Sequence, residues 1–92
     1  MYLHIGHDMM IDAESIIAIL NKNLMDYSPE VRQMIHRFYA EGQLQGDLND
    51  AKSLIFTSNG VILSNISPAT LYKRAGRTSS KEGTGSVWYT EI

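Results

Sequence analysis

Residues 61–74 read VILSNISPATLYKR, and the fold turns on them because a strand, a capped helix start and a basic helix exit follow one another without interruption. Ser67 offers a capping hydroxyl, and Pro68 occupies the first helical position, where its missing N–H costs nothing. Ile66 and Leu71 stand at the two positions of a hydrophobic staple and should touch. Upstream, Asn59-Gly60 separates the β-prone run Lys52 to Ser58 from Val61 to Ile66. That dipeptide is a strong signal for a type I′ hairpin, whose two central residues both need positive φ. The pattern therefore predicts a hairpin feeding directly into a short helix.

A two-residue turn at Asn59-Gly60 pairs Ser58 with Val61, Phe56 with Leu63 and Leu54 with Asn65 on one face. Ile55, Thr57, Ile62 and Ser64 fall on the other. The first face should meet a helix. On the second, Ile55 and Ile62 are too apolar for full exposure, so that face is either covered by the N-terminal strands or offered as an oligomer interface.

The second clear element begins at Ser28, a cap followed by Pro29 and by Glu30, which complements the positive end of the helix dipole. Val31, Met34, Ile35, Phe38 and Tyr39 then recur at helical spacing, predicting an amphipathic helix that ends near Gly42. Its outer face carries Arg32, Gln33, Arg37 and Glu41, and residues 42–50 read as a polar loop with neither period. At the N-terminus, Met1 to Ile5 and Met9 to Ile11 read as two short strands about a His7-Asp8 turn. Residues 12–21 are β-branched and favour a strand, although Asp12 followed by Glu14 is also a helix opening. The fold class is thus α/β, a small mixed sheet with two helices, over a domain of residues 1–75. Residues 76–92 read as a polar linker, expected to be flexible, leading to a β-prone tail from Val87 to Ile92 that either adds to a sheet edge or stays loose.

Composition narrows the function. There are no cysteines, which excludes disulfides and thiolate metal sites. No apolar run approaches a membrane span and the first residues lack a signal peptide's basic region, so a cytoplasmic chain is expected. The net charge of −2 is unevenly divided: residues 1–50 hold three basic and eight acidic side chains, residues 51–92 five and two. An acidic chain binds nucleic acid only through a local basic patch or through many copies in one assembly. Lys73, Arg74 and Arg77, with Lys52, are the candidate phosphate contacts. The same cations also suit the negative end of a helix dipole in a protein that never meets DNA. His4, His7 and Asp8 form a conceivable zinc ligand set, but residues three apart on a strand point to opposite faces unless Gly6 bends the chain. No metal or cofactor is therefore assigned. Met9, Met10, Met25 and Met34 read as core filler. With no nucleophile elbow, phosphate-cradling loop or paired carboxylates, no catalytic residue is nominated and an enzyme is not expected.

Three segments together, MYLHIG at residues 1–6, IIAI at 16–19 and above all VILSNISPAT at 61–70, resemble the small extracellular-matrix regulators of Gram-positive bacteria, the RemA and RemB group. The resemblance spans residues 1 to about 75, and the start is closer to the RemB branch. It implies a domain similar to the LytTR DNA-binding fold, assembled into rings, the RemA branch activating transcription of biofilm matrix operons. In that branch an arginine pair precedes the strand before VILS, whereas this chain has Asn49 and Asp50 there, with Lys52 the nearest cation. An aspartate facing phosphate is repulsive. Two readings follow: an oligomeric, DNA-binding regulator of matrix genes, or a structural or interaction protein that partners another regulator without touching DNA. A core this small, supplying roughly 3–5 kcal/mol, favours self-association under either.

Overall fold

A computed structural model describes residues 2–75, so Arg77, the polar linker and the Val87 to Ile92 tail lie outside the described residues. Four strands make the main sheet: β3 (Ile16–Asn21), β4 (Leu44–Gln45), β5 (Ser53–Thr57) and β6 (Gly60–Ser64), in the spatial order β3-β5-β6-β4. The first three are antiparallel and β4 joins β6 in parallel. A separate antiparallel hairpin, β1 (Tyr2–His4) and β2 (Met10–Asp12), lies apart from that sheet's hydrogen bonding. The helices are α1 (Leu24–Tyr27), α2 (Pro29–Ala40) and α3 (Pro68–Arg74). The class is mixed α/β as expected, with two sheets and one more short helix than the sequence pattern indicates.

Alternation along the strands builds two cores, one on each face of the main sheet. On one face Leu54, Val61 and Leu63 close on Ile35 of α2, with Val31, Phe38 and Phe56 packed around them. Phe38 meets Phe56 edge-on, the ring centres 6.3 Å apart. On the other face Ile16, Ile19 and Ile55 are covered by Leu3 and Ile5 of the N-terminal hairpin and by Leu71 and Tyr72 of α3. The sheet is therefore sandwiched, which explains the unbroken apolar run of VIL in β6: Val61 and Leu63 serve one core and Ile62 the other.

Ile55 is accordingly a core residue, 0% exposed, and not the surface contact nominated for an oligomer interface. Of the two alternatives for that face, the protomer's own N-terminal strands cover it, and Ile62 is left half-buried at the edge of the same cluster. Two residues of the α2 stripe also differ from expectation. Tyr39 is 69% exposed and Met34 only half-buried, because the sheet presents its apolar surface to a strip centred on Ile35 that Tyr39 overshoots.

The β5–β6 register slips by two residues from the expected pairing. Phe56 opposes Val61 and Leu54 opposes Leu63, so the loop is Ser58-Asn59. A two-residue slip preserves which face each side chain occupies, and the cores come out as the pattern requires. Ser58 and Asn59 both keep negative φ, so this is not the type I′ turn; the Thr57 hydroxyl closes it instead, donating to Gly60 O (2.9 Å) and accepting from the Asn59 N–H (3.1 Å). Gly60, at φ 136°, is required for another reason: a Cβ there would stand 2.4 Å from the carbonyl oxygen of Gln43, where β4 approaches β6. Two successive positive φ values occur at His7 (54°) and Asp8 (59°), between Gly6 and Met9, whose N–H donates to Gly6 O (2.9 Å). His and Asp are among the residues that tolerate this conformation.

The segment 12–21 combines both readings. Asp12 accepts from the Glu14 N–H (3.0 Å) and opens a 3-10 turn at Ala13–Ser15, after which β3 begins. A bulge between Ile16 and Ala18 lets Ile16 rejoin the core and swings Ile17 outward. Residues 42–50, expected to be a loop, hold β4 and a 3-10 turn at Leu48–Asp50. A two-residue parallel strand is too short to leave a period in the sequence.

Candidate nucleic-acid interface

α3 carries out what the opening stretch promises. The Ser67 hydroxyl accepts from the Thr70 N–H at 3.3 Å, Pro68 stands at the start, and Ile66 packs on the same cluster as buried Leu71. Burial of Leu71 and Tyr72 leaves Lys73 and Arg74 on the exposed side of the last turn. Seven residues form too short a helix to persist alone, so this packing sets where the two cations stand.

The two are not equivalent. Arg74 reaches back to β1, donating from Nη1 to the carbonyl of His4 (3.1 Å), with His4 Nδ1 3.2 Å away. This bond ties the end of α3 to the start of the chain and holds the guanidinium beside the outer face of the N-terminal hairpin, where Tyr2 and Met10 are exposed. Lys73 has no polar partner among the described residues, so its ammonium is available to solvent or a ligand.

Lys52 sits elsewhere. Its N–H donates to Ser64 O (2.7 Å), and the next residue, Ser53, donates its hydroxyl to Ile66 O (2.6 Å). Those bonds place Lys52 near the N-terminal end of α3, with Lys73 and Arg74 a helix length away. Lys22 joins it: the Lys22 N–H donates to Lys52 O (3.0 Å), an adjacency of positions thirty residues apart that only strand pairing reveals. Sequence reasoning missed Lys22 because it stands alone among uncharged neighbours.

The histidines do not converge. His4 is engaged with Arg74, while His7 Nε2 lies 3.2 Å from Asp50 Oδ2, both side chains about half exposed. Asp50 and Asn49 belong to the 3-10 turn before β5, whose cap Asp47 accepts from the Asn49 N–H (3.0 Å). The 3-10 turn in front of β5 is therefore acidic at Asp47 and Asp50, and the side chain it engages is a histidine.

A family model described as RemA-like, extracellular matrix regulatory protein A-like, matches residues 2–75, which are the residues the structure describes. No curated protein matches the chain.

Proposed function

This chain belongs to the RemA-like family of extracellular matrix regulatory proteins, a regulatory and not an enzymatic family, and from that premise we propose that it regulates transcription of extracellular-matrix genes as a homo-oligomer that binds DNA. DNA contact runs through a basic edge of Lys73, Arg74 and Arg77, with Lys52 and Lys22 at the other end of α3. The observation that carries the reading is the exposed cation pair at the end of a helix whose opposite side is locked into the core. Exposed Tyr2, Met10 and Ile17 supply apolar surface for contacts between copies, as in the ring expected from the resemblance. No helix among the described residues is long and apolar enough to cross a membrane.

One protomer offers few phosphate contacts, so binding depends on assembly and on avidity between linked weak sites. Gel-shift titrations against matrix-operon promoter fragments at several salt concentrations test this. Each neutralised phosphate contributes roughly 0.9 to the slope of log affinity against log salt, and Arg74→Ala should lower the slope by about one per engaged subunit. Absence of any shift at low salt, from a protein that stays assembled, overturns direct DNA binding.

A second reading has its own observation. Asn49 and Asp50 replace the arginine pair of the RemA branch, and Asp50 is held by His7. That acidic surface favours a protein partner over phosphate and suits a RemB-like role beside another regulator. Failure to shift DNA together with capture of a basic regulator by the wild type, lost in Asp50→Lys, would support it.

A further inference from the structure

Between the open edge of the sheet and the N-terminal hairpin lies a cleft of about 370 Å³, within the range of small-molecule sites. Ile11 and half-buried Ile62 give it apolar walls, the backbone of Gly60 and Val61 gives it a floor, and Gln43, Gln45 and Asn59 give it a polar rim. The hydroxyls present are already spent: Ser15 donates to Asp12 O (2.8 Å) and Thr57 to Gly60 O (2.9 Å). The three carboxamides are exposed and make no side-chain hydrogen bond among the described residues. The cleft is shaped by Gly60, where any side chain would collide with Gln43 and push β4 away.

The lining chemistry selects among ligand classes. None of the described lining residues is charged, so nothing rewards a phosphate or carboxylate for losing its water. A peptide strand added to the edge would need a run of open backbone, and β4 offers two residues. A carboxamide presents a donor and an acceptor side by side, the arrangement that pairs with the edge of a heterocyclic base, while the Ile11 and Ile62 side chains accept its flat face. We propose that this cleft binds a nucleobase, delivered either by a free nucleoside or by an unpaired nucleotide of a nucleic-acid strand. The site is distinct from the cationic edge of α3 and operates whether or not that edge binds duplex DNA.

Calorimetric titration of the full chain with adenosine, guanosine, cytidine and thymidine, each alone, tests the proposal. Saturable binding of at least one nucleoside is expected, weakened roughly fivefold by Gln45→Ala and unchanged by Gln33→Ala on the outer face of α2. Because the rim is uncharged, the matching nucleoside monophosphate should bind no more tightly than the nucleoside, and added salt should change neither. A short single-stranded oligonucleotide of the preferred base separates the sources: binding sensitive to Gln45→Ala assigns the base to a strand, and its absence beside nucleoside binding assigns a free effector. Circular dichroism of the exposed-glutamine variant guards against a folding artefact. No saturable heat from any nucleoside, or a monophosphate preferred and salt-sensitive, or a Gln45→Ala variant that is folded and binds as wild type, overturns the proposal.

Discussion

Replacing Ile35 by alanine should cost about 3–4 kcal/mol of folding stability. Ile35 is the one fully buried side chain of α2, 2% exposed, and it closes on Leu54, Val61 and Leu63 in the core beneath that helix. Truncation removes three carbon groups, worth about 2.4 kcal/mol at roughly 0.8 each. A residual cavity adds about 1 kcal/mol or more, because α2 is held by Phe38 against Phe56 and cannot collapse fully into the gap. A core of this size supplies roughly 3–5 kcal/mol, so the loss is most of it. Urea denaturation followed by far-ultraviolet circular dichroism measures it, with Tyr39→Ala as the internal comparison. Tyr39, 69% exposed on the same helix, should change stability by no more than about 0.5 kcal/mol. Equal losses from the two variants, or less than about 1 kcal/mol from Ile35→Ala, would mean that α2 turns a different face to the sheet.

Gly60→Ala should destabilise by about 2 kcal/mol or more, because alanine must take φ 136° and place its Cβ against Gln43; chemical denaturation at wild-type-like spectra checks this, and a neutral result would place β4 elsewhere. Ser64→Ala removes the hydroxyl that donates to Ile5 O (2.8 Å) and accepts from the Ile66 N–H (3.0 Å), and should cost about 2 kcal/mol while hydrogen exchange accelerates at Ile66; unaltered protection there would show that the N-terminal hairpin is held by packing alone. Light scattering during size exclusion should give an assembly larger than one protomer, and a sharp monomer mass at micromolar concentration would remove both the ring and the avidity argument.

The elements with strong local chemistry are legible in the chain. Ser28-Pro29 and Ser67-Pro68 start helices where expected, each serine accepting from the N–H three residues on. The strand runs around the VIL segment are likewise where alternation and β-propensity put them. What escaped has a tertiary origin. Asn59-Gly60 has the chemistry of a type I′ turn, yet Gly60 is consumed by the approach of Gln43 and the turn moves one residue earlier. The strained turn sits instead at His7-Asp8, where the His7 to Asp50 contact, forty-three positions apart in the chain, helps hold it. The bulge in β3 and the two-residue β4 are decided by what they pack against, and Ile55 could not be told from a surface residue until the N-terminal hairpin was seen to cover it.

The cations of α3 were legible as residues but not as an arrangement, and the arrangement decides how their role is to be tested. Lys73 and Arg74 are carried by a helix whose inner side, Leu71 and Tyr72, is part of the core under the N-terminal hairpin, and Arg74 itself bonds to β1. Any variant that loosens this core will therefore displace the cations and would weaken the proposed DNA binding without having altered a proposed phosphate contact. Arg74→Ala shares the ambiguity because it also removes the bond to His4. Lys73→Glu does not: the side chain is exposed and unpartnered among the described residues, so its reversal should leave the urea midpoint nearly unchanged. If α3 faces phosphate, that single reversal replaces an attraction with a repulsion in every copy of the assembly, and the salt slope should fall by more than one per engaged subunit. A folded, assembled Lys73→Glu protein that shifts DNA with the wild-type slope would move the interface off α3, whatever Arg74→Ala had shown.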